Sequence, residues 1–114
     1  MTDHLETDVA IIGAGPSGLF AVFQCGMLGL GSCLIDSLDQ IGGQCTALYP
    51  EKPIYDIPAE PSILAGELIE QLEAQAAPFR PVIKTGEQVT AIDGQEGAFT
   101  LKTSKNTHIT AKAI

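Results

Sequence analysis

No lysine or arginine precedes Lys52, and the 114-residue chain holds only 6 basic against 14 acidic side chains, a formal net charge of -8. That balance argues against a surface for nucleic acid or for an anionic membrane. It would also repel an acidic redox partner, so a basic docking patch for one must lie mainly outside this segment. Long apolar runs are missing too, which leaves no transmembrane span. Met1 to Glu6 is acidic and polar, without the basic start and apolar middle of a secretory signal, and the expectation is a cytoplasmic protein. Cysteine is sparse: Cys25, Cys33 and Cys45 show neither CxxC nor metal-ligand spacing. They fit a reducing compartment and read as small buried hydrophobes rather than as a metal site. His4 falls in a polar tail and His108 in an exposed strand, so neither is assigned to catalysis, and no catalytic side chain is singled out elsewhere.

What the chain does have is concentrated between Asp8 and Asp36. The apolar run Val9-Ala10-Ile11-Ile12 enters the string Gly13-Ala14-Gly15-Pro16-Ser17-Gly18, and a second apolar run, Ser32-Cys33-Leu34-Ile35, ends on Asp36. Strand, glycines, helix and acidic residue in that register form a dinucleotide-binding βαβ unit. Gly13 allows the tight turn, Gly15 lets the backbone approach a pyrophosphate, and Gly18 lets helix and strand pack closely. Pro16 suits the first helical turn, where the remaining free N–H groups and the helix dipole face phosphate, and Ser17 can add a hydroxyl. Asp36 stands where a carboxylate accepts hydrogen bonds from a ribose diol and repels a 2'-phosphate, which favours FAD or NAD over NADP at this site. A glycine-rich turn in an ordinary α/β domain is the plain alternative.

The strand from Asp8 to Ile12 is expected to be buried on both faces, as in a parallel sheet. The crossover helix should run from Pro16 to Leu28 on the stripe Leu19, Val22, Phe23 and Leu30, with Cys25 and Met27 packing as well. Gly29-Leu30-Gly31 closes it. Beyond Asp36, the pair Gly42-Gly43 followed by Gln44 marks a loop needing close backbone approach, either against an extended cofactor or as a flexible connection. Pro50, Pro53, Pro58 and Pro61 make the next stretch an extended excursion. Its tyrosines, Tyr49 and Tyr55, can stack on a planar ring or simply pack. Ser62 is placed to cap a helix reaching about Ala77, with Leu64, Leu68, Ile69 and Leu72 inward and Glu67, Glu70 and Glu73 in solvent. Val82-Ile83 should begin a third parallel strand, with right-handed crossovers. From Glu87 the pattern alternates: Val89 to Ile92, a turn at Asp93-Gly94, Ala98 to Leu101, a turn at Ser104 to Asn106, and His108 to Ala111. That is a β-meander.

Taken together these residues resemble the two-dinucleotide-binding flavoproteins. The string Gly42-Gly43-Gln44-Cys45-Thr46-Ala47-Leu48-Tyr49-Pro50-Glu51-Lys52, with Ile54-Tyr55-Asp56 and Ala65-Gly66-Glu67-Leu68-Ile69, is similar to ferredoxin-NADP reductases of the thioredoxin-reductase-like type. The resemblance implies an α/β, Rossmann-like FAD-binding domain, a parallel sheet with helices and a β-meander. The chain would be its N-terminal part, lacking the C-terminal FAD segment and the NADPH-binding domain. It further implies FAD on Gly13, Gly15, Pro16, Ser17 and Gly18, its ribose on Asp36, flavin contacts from Gly43 and Gln44, ring stacking by Tyr49, and an adenine-side contact at Val89. NADP(H) as co-substrate, ferredoxin or flavodoxin as electron carrier, and a homodimer follow from the same likeness. In lipoamide-dehydrogenase-like relatives the glycine pair precedes a redox disulfide, but here Pro50 stands where the second cysteine would be. Ala59-Glu60-Pro61 departs from relatives that carry glycine and an aromatic before the proline.

Chain length sets a further expectation. A complete two-nucleotide oxidoreductase needs more than 114 residues, so the segment alone should be inactive, bind FAD weakly or not at all, and expose an apolar sheet edge. Thioredoxin reductase, another pyridine-nucleotide flavoreductase, and a non-catalytic nucleotide-binding module are the competing readings.

Overall fold

The computed structural model describes residues 3–43, 45 and 48–114. Its sheet is built outward from strand β1, Asp3–Ile12, which leads through the glycine turn into helix α1, Pro16–Met27, and back to β2, Ser32–Ile35. β2 lies parallel to β1, with Val9 opposite Ser32 and Ile12 opposite Ile35. After the short pair β3, Pro53–Ile54, and β4, Ile63–Leu64, helix α2 occupies Ala65–Ala76 and a 3-10 turn Ala77–Phe79. Strand β5, Val82–Lys84, then adds in parallel to β2, as the sequence predicts. Strands β6, Val89–Gln95, β7, Ala98–Thr103, and β8, Thr107–Ala113, form the antiparallel meander. β8 closes on β1 in parallel, giving one sheet of order β5-β2-β1-β8-β7-β6.

Alternation along β1 and β2 sends side chains to two separate cores. On one face Ala14, Leu19, Val22, Leu34, Ile69 and Ala76 pack, joining both helices to the sheet. On the other, Ala10, Cys33 and Ile35 meet Leu101, Ile109 and Ala111, with Leu5, Val89 and Phe99 alongside. The twisted meander thus covers the face that the helices leave. Side chains as fully buried as Leu19, Leu34 and Ile109 each contribute about 2 kcal/mol. α1 approaches the 3-10 turn closely at Gly26, where a Cβ would run into the Phe79 ring, and Phe23 meets that ring edge-on at 5.9 Å.

Several expectations are corrected. The polar tail is strand from Asp3 onward, because Asp3 to Thr7 pair with Thr107 to Ala111. His4 is therefore a strand residue, 5.3 Å from the His108 ring. Ile12, expected to be buried, is 50% exposed at the strand end. Leu19 and Val22 are buried as expected, but Leu30 and Met27 lie in solvent. Helix α2 starts at Ala65 rather than at Ser62, with no side-chain cap. Its Ala65 and Gly66 N–H groups donate instead to Lys52 O at 2.9 Å and Pro50 O at 2.8 Å, so the proline-rich excursion performs the capping. The first meander turn falls at Glu96-Gly97, not Asp93-Gly94, since Asp93 and Gly94 continue the ladder opposite Thr100 and Phe99. β8 lies inside the sheet, whose edges are β5 and β6.

Candidate functional site

The glycine turn is held from three directions. The Gly13 N–H donates to Ile35 O at 2.7 Å, the Ala14 N–H to Asp36 Oδ2 at 2.8 Å, and Ala14 O accepts from the Gly42 N–H at 2.7 Å. Gly13 adopts φ 111°, a left-handed value that favours glycine. A Cβ on Gly18 would strike the Gly13 carbonyl, which is the close helix-strand packing expected of the third glycine. A Cβ on Gly15 would meet no atom of the described residues within 4 Å. Beyond its place as the N-cap of α1, no steric contact among the described residues requires glycine at position 15, and the space there is open to a ligand.

Asp36 also accepts the Leu38 N–H on Oδ1 at 2.8 Å. One carboxylate thus bridges the turn after β1 and the bend after β2. Each oxygen uses one acceptor position, and a carboxylate has about four, so capacity for ribose hydroxyls remains. The α1 N-terminus has no side-chain cap and no acidic residue in its first turn, so its positive end is not neutralised from within.

A cleft of about 250 Å³, on the scale of one nucleoside rather than a whole dinucleotide, runs along this junction, lined by Ile12, Gly13, Asp36, Glu87, Gln88 and Val89, among others. The half-exposed Ile12 supplies its apolar wall. The structure therefore brings together Gly13, Asp36 and Val89, which the sequence separates widely. The loop of Gly42 and Gly43 lies against the turn, and a Cβ on Gly43, whose φ is 57°, would contact Gly15 Cα at 3.5 Å. The close backbone approach expected of this glycine pair is thus made to the glycine turn.

Other expected residues lie apart from that cleft. Pro16 and Ser17 line a larger one of about 620 Å³ between α1, the Ile57–Glu60 bend and α2. Tyr49 lines a third, of about 470 Å³, with Cys45, Lys52, Tyr55 and Asp56. Tyr49 is 50% exposed, and Lys52 Nζ lies 5.2 Å from its ring centroid. Gln44 lies outside the described residues. All three cysteines are free. Burial pushes the Cys33 thiol up to about 11, with Lys84 opposing and Glu87 adding to the rise.

Glu87 is the residue that sequence reading missed. It is 5% exposed, and its Oε1 accepts the Thr103 hydroxyl at 2.8 Å and the Thr107 hydroxyl at 2.6 Å. Burial alone raises its pKa, but the two hydroxyls and the charges of Lys84 and Lys105 outweigh that and hold the carboxyl below its ordinary value. In the sequence, Thr85-Gly86-Glu87-Gln88 looks like any polar turn.

No family model matches the chain. It is 63% identical to a ferredoxin–NADP reductase of Gluconobacter oxydans over 96% of this chain and 32% of the relative. It is 61% identical to that of Acidiphilium cryptum over 100% of this chain and 34% of the relative. The chain thus spans about a third of the length of the curated relatives it matches. Among solved structures, T. acidophilum thioredoxin reductase superimposes with a TM-score of 0.79 at 27% identity, over 94% of this chain and 33% of that one. Cyclohexanone monooxygenase follows at a TM-score of 0.72 and 25% identity, over 96% of this chain and 26% of that one. Over nearly its whole length the chain is similar to about a third of these ferredoxin–NADP reductases, and its fold is similar to that of thioredoxin reductase.

Proposed function

We propose that this chain is the FAD-side part of a ferredoxin–NADP oxidoreductase. The observation that carries the reading is the cleft joining Gly13, Asp36 and Val89 beside a Gly15 with no steric reason to be glycine, in a chain so similar to those reductases. FAD fits these residues. Asp36 would hold its ribose diol and Val89 its adenine, while Gly15 and the α1 N-terminus at Pro16, Ser17 and Gly18 would hold its pyrophosphate. Gly43, Gln44 and Tyr49 are assigned to the flavin end, where the half-exposed Tyr49 would stack on the ring.

The flavin supplies the chemistry of exchanging single electrons with one partner and hydride with a nicotinamide. The chain's own residues bind and orient it. NADP(H), ferredoxin or flavodoxin, and the second subunit of a cytoplasmic homodimer are assigned to the whole protein. Among the described residues no helix is long and apolar enough to cross a membrane. The test is NADPH-dependent reduction of ferredoxin and of flavodoxin by the full-length, FAD-loaded protein. Turnover with either supports the reading. Reduction of thioredoxin alone moves the assignment to thioredoxin reductase, and FAD binding without NADPH oxidation leaves a non-catalytic module.

A further inference from the structure

Two acidic residues, not one, line the cleft between Gly13 and Val89. The Glu87 N–H donates to the Asp36 backbone carbonyl at 2.9 Å, so the two residues are neighbours in the same wall. Both threonine hydroxyls converge on Glu87 Oε1, leaving Oε2 with no partner among the described residues. Among those residues no buried side-chain oxygen lacks a hydrogen bond. Oε2 therefore keeps some exposure in this nearly buried residue, and Glu87 is one of the residues that line the cleft. The hydroxyls of Thr103 and Thr107, themselves 1% and 2% exposed, fix the carboxylate from behind. Lys84 on β5 and Lys105 in the turn before β8 act on it through space, without a direct ion pair. A buried carboxylate serving only the fold would gain by satisfying both oxygens.

We propose that Glu87 is a specificity-determining residue of this cleft: its free oxygen accepts a hydrogen bond from a nucleoside with an unphosphorylated ribose, and its charge, added to that of Asp36, turns a 2'-phosphate away. This rests on reading the cleft as the FAD nucleoside site.

The experiment uses the full-length protein, stripped of flavin and titrated with FAD by fluorescence, with 5'-AMP and adenosine 2',5'-bisphosphate as competitors. In the wild type 5'-AMP should compete at least tenfold better. Glu87→Gln keeps the shape and removes the charge, and should narrow that gap about tenfold, or about 1.4 kcal/mol. Glu87→Asp keeps the charge on a shorter arm, and should weaken 5'-AMP while preserving the gap. If Glu87→Gln does not fold, Glu87→Asp still decides, because unchanged 5'-AMP competition there overturns the proposal. Equal weakening of both competitors in Glu87→Gln, the mark of a purely structural role, or an unchanged gap overturns it as well. Failure of the wild type to take up FAD would instead overturn the flavin reading itself.

Discussion

Asp36 Oδ2 accepts the backbone N–H of Ala14 at 2.8 Å across 22 residues of sequence. The carboxylate proposed to hold a ribose diol therefore also holds the glycine turn, where Ala14 is fully buried. Asp36→Ala strands that N–H and the Leu38 N–H, and should cost about 1–3 kcal/mol in denaturant unfolding. Asp36→Asn keeps one acceptor oxygen, so its stability should fall between the two while FAD affinity drops. Wild-type stability in Asp36→Ala would contradict this dual role.

Two glycines separate folding from binding. In Gly18→Ala the new methyl meets the Gly13 carbonyl, and the resulting overpacking should cost about 1–3 kcal/mol. Gly15→Ala meets nothing, and its φ of -78° suits alanine, so only the weaker N-cap preference is lost, less than about 1 kcal/mol. Its effect should appear in FAD affinity instead. Thermal melts and flavin titrations of the two variants read the difference, and the expected pattern fails if Gly15→Ala is the less stable of the pair.

The Glu87 cluster makes a pH prediction. Because the folded protein holds this carboxyl below its ordinary value, Glu87 contributes stability that is fully present above that ordinary value. That stability is lost as pH falls through the depressed folded value. Removing the donors in Thr103→Val with Thr107→Val should move acid unfolding, followed by circular dichroism, to higher pH. An unmoved acid midpoint would show that the hydroxyls do not hold the charge.

Cys33 is 1% exposed and its thiol is pushed up to about 11, so it should resist alkylation near pH 8 in the native protein. Half-buried Cys25 and Cys45 should react first. Mass spectrometry before and after denaturation distinguishes the sites, and native labelling at Cys33 would contradict its packing in the sheet.

The βαβ unit is legible in sequence because its chemistry is local: Gly13, Gly18 and Asp36 each act within a single strand-helix-strand passage. Features set by distant partners are not. The strand start at Asp3 depends on pairing with Thr107, and the cap of α2 comes from Pro50 and Lys52 rather than from the nearer Ser62. Asp93-Gly94 carries the chemistry of a hairpin turn, yet the ladder uses it as strand: Gly94, at φ 103°, sits where a Cβ would strike Ala98 O. Glu87 finds its donors 16 and 20 residues away, on strands whose register no local pattern announces. Val89, which only a family resemblance marked, lines the same cleft as Asp36.

The most direct test of the account is FAD affinity of the full-length protein, measured by flavin fluorescence for wild type, Gly15→Ala and Asp36→Asn. The account predicts stoichiometric binding by the wild type and a fall of at least about tenfold, about 1.4 kcal/mol, in each folded variant. Wild-type affinity in both variants would place the cofactor elsewhere and contradict it.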